Sequence, residues 1–372
     1  MARKHMPPMD PFSFSQSPDF ESHAYLASLP PWNSLRIVVM GTGPFAVPMF
    51  AALCRSGQHI VAVVTRPDHA AAGRRPAKNP MREAAVAAGL PVFDPEHINT
   101  PEAITSLAQW SPDLLVVCDY GQILSPFTLA VATLGGINLH GSLLPRHRGA
   151  APVQWAILAG DPLTGVSVIH MTPKLDAGAV IVARATAIEP DETAPHLEQR
   201  LAELGAEAVL DAIQRLFAAA QLSAAQTAGG TGNALDVGTP QSQSQATRAP
   251  RLTKADGIVN WSLPAAQIER MRRALEPWPR TSTFLARGGS EQTQRLVLED
   301  VAVAQSALAR PASDDSGTVL EASPSGILVA CGEGTAILIH RLVPEGRRSM
   351  SAAEFLRGHS LRVGMRLGSV GG

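Results

Sequence analysis

Three short apolar runs recur through the first third of the chain: 35–40 (LRIVVM), 60–65 (IVAVVT) and 113–118 (DLLVVC). Each is rich in branched residues and bounded by turn formers, as in a strand covered on both faces. The first run ends in Gly41-Thr42-Gly43-Pro44, a tight turn, and 45–55 continues with helical character. Strands alternating with helices imply a parallel sheet. Further strands are predicted at 135–140, 164–171 and 180–188, and 192–219 carries leucines at helical spacing (Leu197, Leu201, Leu204, Leu210). The expected fold is α/β: a Rossmann-like, mostly parallel sheet with helices on both faces.

At 372 residues the chain exceeds the usual single-domain range of about 100–200 residues, so two domains are expected. Residues 220–250 are Gln, Ser, Gly, Thr and Ala with almost no large apolar side chain, a composition that predicts a flexible linker. The first domain then spans 35–219. Beyond the linker, a helical pattern over 261–275 precedes short alternating runs at 281–285, 295–301, 317–320, 326–329 and 336–339. These predict a smaller β-rich domain over 251–366, OB- or barrel-like, with 367–372 as a tail.

The first 34 residues, rich in Pro and Ser, lack the apolar core of a secretory signal and read as a disordered extension. A mitochondrial transit peptide is the alternative, but Arg3 and Lys4 are set against Asp10, Asp19 and Glu21. Cys54, Cys118 and Cys331 are far apart and show no CxxC spacing, which argues against a zinc knuckle or a disulfide framework. A cytoplasmic, soluble chain with no membrane segment fits, and a monomer is expected. The net charge of -1 gives no global basic signature, so any nucleic-acid contact must come from a local patch.

Two motifs bear on chemistry. Gly41-x-Gly43-x-x-Ala46 satisfies the dinucleotide fingerprint, yet the second strand ends Thr65-Arg66 without the ribose-binding acid, and Pro44 removes a phosphate-facing N–H. A glycine turn that packs helix on sheet explains it equally well. No G-x-x-x-x-G-K-[ST] element is present. The second motif is Asn138-Leu139-His140-Gly141-Ser142-Leu143-Leu144-Pro145, followed by Arg146, Arg148 and Gly149. On a strand Asn138 and His140 share a face at the carboxyl edge of the sheet, where open α/β sheets bind ligands. Leu175-Asp176-Ala177-Gly178 offers a carboxylate in a later loop. Taken singly, the histidine reads as structural and the aspartate as a turn former; together Asn138, His140 and Asp176 form an acyl-transfer group.

On these segments, with Gly41-Thr42 and Phe45-Ala46, Arg148 to Pro152, Leu252-Thr253-Lys254, Trp261 and Pro277-Trp278-Pro279, the chain resembles the methionyl-tRNA formyltransferase family. Residues 35–219 resemble its catalytic domain and 251–366 its carboxyl-terminal domain. The resemblance implies that Asn138, His140 and Asp176 are catalytic and that Ser142, Leu143, Leu144 and Pro145 line the folate site. It implies 10-formyltetrahydrofolate as formyl donor, no metal, and the α-amine of initiator methionyl-tRNA as acceptor. Attack on the formyl carbon would pass through a tetrahedral oxyanion, to which Asn138, and His140 when protonated, donate hydrogen bonds worth about 3–4 kcal/mol each. Asp176 would orient His140 and help move the amine proton, a contribution of roughly 10²–10⁴-fold.

The acceptor needs a further feature, because transformylases of sugars, purine precursors or water share the triad. Residues 66–82 form a loop with five cations and one acid, in which the resemblance assigns Arg66, Arg74, Arg75 and Lys78 to tRNA. Arg272, Arg273 and Arg280 flank Trp278 and suit either phosphates or a solvated surface. One residue departs from the family pattern: Asp119 occupies a position where a small apolar residue is expected, beside the folate pocket. The rival readings are a folate-dependent formyltransferase of a sugar amine or other small amine, an NADP-linked reductase, and a non-catalytic RNA-binding protein.

Overall fold

The computed structural model describes residues 35–68, 79–226, 237–286, 293–304 and 316–368. In the first domain β1 (Arg36–Met40), β2 (His59–Val64), β3 (Val92–Phe93), β4 (Leu114–Val117) and β5 (Gly136–His140) run parallel in the order β3-β2-β1-β4-β5. A two-residue strand, β6 (Arg148–Gly149), leaves the sheet. Beyond β5, β7 (Leu163–His170) and β8 (Val180–Ala187) complete the order as antiparallel strands. The chain winds one way from β1 to β3 and the other way from β4, so the switch point lies between the carboxyl ends of β1 and β4.

The apolar runs are buried on both faces, as their composition requires. Ile37 and Val39 share one core with helices α1 (Ala46–Arg55), α2 (Pro80–Ala87) and the long α6 (Ala194–Gln226). Val38 and Met40 share the other with Leu107 of α3 (Pro101–Ala108) and Leu129 of α4 (Pro126–Leu129). Each such aliphatic side chain contributes about 1.5–3 kcal/mol when fully buried. Helices α2, α3 and α4 each begin with Pro in the first turn, and the side chains of Asn79, Thr100 and Ser125 accept the orphan N–H groups of Arg82, Ala103 and Thr128. Helix α5 (Pro152–Ala159) follows β6 and faces the second domain.

Two boundary expectations need correction. Helix α6 runs on to Gln226 rather than ending at 219. Residues 237–250, expected to be free linker, dock on the first domain: β9 (Arg248–Ala249) pairs in parallel with β6, and Val180 and Thr239 exchange both backbone hydrogen bonds. Composition missed this because, apart from Val237 and Ala249, the segment is held by polar contacts rather than apolar burial.

In the second domain β10 (Ser282–Ala286), β11 (Thr293–Val303), β12 (Val319–Ser323), β13 (Gly326–Ala330), β14 (Ala336–Pro344), β15 (Met350–Ser351) and β16 (Leu367–Gly368) form one antiparallel sheet. Its order is β12-β13-β14-β11-β10-β16, with β15 beside β14. The sheet curls until its edges meet, since Val319 N–H donates to Met365 O and Leu367 N–H to Gly317 O, both at 2.8 Å. Leu367 and Gly368, expected in a tail, are therefore part of this barrel-like wall. Trp261, Ile268 of α7 (Ala265–Ala274) and Phe355 of α8 (Ala352–Gly358) fill its core. Met271, Ala274 and Leu275 join the core of the first domain instead, and buried Arg273 donates to Glu192 O at 3.0 Å across the junction.

Candidate active site

A cavity of about 550 Å³ opens at the carboxyl edge of the sheet. That volume suits a ligand of cofactor size. Its floor is the end of β5, its walls are the loop after β4 (Asp119, Tyr120, Gly121, Gln122, Ile123, Leu124) and the loop after β7 (Met171 to Asp176), and Glu198 and Arg251 reach it from α6 and the second domain. Ile123 and Leu175 are 66% and 59% exposed, which leaves apolar surface at the mouth.

Asn138, His140 and Asp176 meet on this wall. Asn138 and His140 share a face of β5, and the Asn138 carboxamide has no hydrogen-bond partner among the described residues. The His140 ring is 6% exposed; its Nε2–H donates to His147 O at 2.9 Å, so Nδ1 is the nitrogen turned to Asp176, with Oδ2 at 3.8 Å. That gap is longer than a direct hydrogen bond and is common in ligand-free catalytic pairs. Asp176 sits in the left-handed region at φ 48° and its Oδ2 accepts the N–H of Gly149 at 2.9 Å.

The scaffold under this group comes from residues with no local signature. His147, at φ 58°, presents the carbonyl that holds His140; its own ring donates to Asp161 Oδ2 at 2.7 Å and its N–H donates to Thr247 Oγ1 at 2.8 Å. Arg146 pairs with the same Asp161. The Gln241 amide donates to the carbonyls of Asp176 and Gly178 at 2.9 and 2.7 Å, pinning the Asp176 turn, while Arg148 donates to Gln241 Oε1. His170 on β7 lines the cavity and donates to Val237 O at 2.7 Å; burial, opposed by that hydrogen bond, lowers its pKa. Gly149 must be glycine here: its φ is 133° and a Cβ would lie 2.3 Å from Ala249 O.

The loop expected to line the folate site follows directly on Gly141 of the cavity wall. Ser142, Leu143, Leu144 and Pro145 are not among the residues of the cavity wall. Ser142 is buried and donates to Arg146 O at 2.6 Å, Ser167 Oγ accepts the N–H of Leu144 at 3.0 Å, and the Leu143 side chain lies against Gly165. Of the basic loop, Arg74, Arg75 and Lys78 lie outside the described residues. Arg66 lies against Gly121 of the cavity wall, and its buried Nε has no partner among the described residues.

Residues 35–213 match the formyl transferase family, and residues 251–360 match the formyl transferase C-terminal domain. A methionyl-tRNA formyltransferase of Rhodopirellula baltica is 44% identical over 340 residues, covering 90% of this chain and 97% of that one. This chain belongs to the methionyl-tRNA formyltransferase family. The family's protein from Myxococcus xanthus is 43% identical, over 88% of this chain and 96% of its own. The fold extends to an N-formyltransferase of Helicobacter canadensis solved with folinic acid and dTDP-3-aminofucose, at a TM-score of 0.53 and 13% identity, over 82% of this chain and 98% of that one. In this family member no described helix is long and apolar enough to cross a membrane.

Two of the three acids of the wall, Asp119 and Glu198, are shifted from the ordinary carboxylate range. Asp119 opens onto the cavity, yet the protein around it and then the charge of Glu198 push its carboxyl up to about 6. Burial likewise raises Glu198.

Proposed function

We propose that this protein transfers the formyl group of 10-formyltetrahydrofolate to the α-amino group of initiator methionyl-tRNA, acting as a soluble monomer in the cytoplasm. The observation that carries the reading is the convergence of Asn138, His140 and Asp176 on one cavity, in a chain 44% identical across both domains to a named family member. The cavity suits the donor: Val117, Leu124 and Met171 offer apolar surface to flat rings, and Lys174 and Arg251 offer cations to carboxylates. When bound, the folate supplies an activated formyl group.

The residues then divide the work. The free carboxamide of Asn138 donates to the oxygen on which negative charge develops, a type of interaction worth about 3–4 kcal/mol. His140, fixed through Nε2, offers Nδ1 to the same region. Asp176 orients that nitrogen and takes up a proton through it or through water. Arg66, Arg74, Arg75 and Lys78 bind acceptor-stem phosphates, which makes the tRNA interaction salt-sensitive.

The deciding experiment mixes purified protein, methionyl-tRNA and labelled 10-formyltetrahydrofolate and tracks label on methionine. Transfer that is lost in Asn138→Ala and Asp176→Ala supports the reading; label that never reaches methionine refutes it.

A further inference from the structure

Asp119 and Glu198 are left over once the triad has its roles. Asp119 leaves β4 in the left-handed region at φ 47°, with its carboxylate over Gly43: a Cβ there would lie 1.7 Å from Asp119 Oδ2. Gly43 comes just after β1, so the two residues meet at the switch point, where open α/β sheets receive ligands. Strands β4 and β5 are in register at Val117 and Asn138, which puts Asp119 level with His140 on the next strand. Glu198, in the second turn of α6, reaches the same wall, and neither carboxylate is hydrogen-bonded or salt-bridged among the described residues.

Two unpaired like charges on one cavity wall disfavour each other's ionised form, and a cation between them removes the conflict. The other titratable groups along the wall are Tyr120, His140, His170, Lys174, Asp176 and Arg251. Among the described residues Lys174 and Arg251 are the wall cations with no salt bridge, and they lie on other connections, so the cavity has an acidic and a basic part. An anionic folate tail is repelled from Asp119, and a neutral formyl group gains nothing from it. The acceptor brings the missing positive charge, because its amine is largely an ammonium near neutral pH.

We propose that Asp119, with Glu198 beside it, is the subsite that receives the acceptor's primary ammonium and takes its proton. The proposal rests on the formyl-transfer reading. An N–H bond of the ammonium breaks, an O–H bond forms on the Asp119 carboxylate, and the electron pair stays on nitrogen, which becomes the nucleophile. The proton then leaves to solvent through the open side of Asp119. The raised carboxyl brings its proton affinity closer to that of the amine, as a general base requires.

The test compares full-length wild type, Asp119→Asn and Glu198→Gln. Asn tolerates the left-handed backbone as Asp does, so the fold at 119 is kept. Methionyl-tRNA is varied at saturating formyl donor, and methioninamide (a cation) and N-acetylmethioninamide (neutral) serve as competing probes. Asp119→Asn is expected to lower kcat/KM for methionyl-tRNA at least about tenfold, to erase the preference for methioninamide, and to leave 5-formyltetrahydrofolate binding unchanged. Glu198→Gln is expected to move the acid limb of the pH profile to lower pH, since Asp119 loses its like-charged neighbour. Wild-type kcat/KM and an intact methioninamide preference in Asp119→Asn would overturn the proposal. If the wild type formylates no methionyl-tRNA, the functional reading fails, and the methioninamide preference of the folate-loaded protein still decides the role of Asp119.

Discussion

Asp161 touches none of the proposed catalytic residues Asn138, His140 and Asp176, yet Asp161→Ala should impair formyl transfer, through His147. A non-glycine residue in the left-handed region costs about 1–2 kcal/mol, and His147 is held there by two side-chain bonds. The bond to Asp161, both side chains being nearly buried, is charge-assisted and worth about 1.5–3 kcal/mol. The bond from its N–H to Thr247 is neutral, and Thr247 is exposed, so water competes and about 0.5–1.5 kcal/mol remains. With Asp161 gone the remaining bond no longer clearly exceeds the backbone cost. His147 should relax, and its carbonyl should leave His140 Nε2. Losing that net hydrogen bond corresponds to a fall in kcat of roughly 2- to 10-fold with folate affinity unchanged. Single-turnover formylation and titration with 5-formyltetrahydrofolate measure the two quantities. His147→Gly is the counter-test: glycine adopts the same backbone without strain, so it should keep the carbonyl in place and retain more activity than Asp161→Ala. Full activity in Asp161→Ala, or a His147→Gly variant at least as impaired, would refute the argument.

Three further outcomes are expected. Asp119 binds its proton more tightly folded than unfolded, so between about pH 4 and about 6 the native state holds more protons and stability falls as pH rises through that window. Asp119→Asn should therefore raise Tm at pH 7 and above, with the difference closing as pH falls toward about 4; equal Tm values at pH 7 would contradict this. Gly43→Ala should lower kcat/KM for methionyl-tRNA and leave 5-formyltetrahydrofolate binding unchanged, because the new Cβ displaces the Asp119 carboxylate; steady-state kinetics equal to wild type would count against that contact. Arg273→Met should destabilise the junction by an amount at or below the lower end of about 3–5 kcal/mol, since Glu269 is 19% exposed and Arg272 remains near it. Calorimetry should then show the domain transitions separating, and an unchanged single transition would speak against it.

The elements legible in sequence are those held by apolar burial. Strands β1, β2 and β4 are covered on both faces, so their composition alone declares them, and the alternation of β5 places Asn138 and His140 together. Strand β3 has only Val92 and Phe93 and no pattern to read. The supports of His140 are illegible for a different reason: His147, Asp161 and Thr247 are joined by hydrogen bonds, the last to a partner 100 residues away, and no periodicity encodes such a bond. Ser142 to Pro145 come directly after His140, and their contacts with Arg146, Gly165 and Ser167 reach residues that no local pattern announces.

In residues 237–250 polar contacts, not apolar ones, position the site. Their Gln, Ser and Thr content forbids a core of their own, yet Gln241 fixes the turn bearing Asp176, Thr247 fixes His147, and Ala249 pairs with Gly149, whose N–H binds Asp176. His140 ends β5 and Asp176 lies in the loop after β7, with a 3.8 Å gap between them, and among the described residues this segment contacts the supports of both. Small displacements there should change the gap without unfolding either domain. Substitutions along 237–250 are therefore expected to lower kcat far more than they lower Tm, the reverse of what truncating a buried leucine such as Leu201 would do.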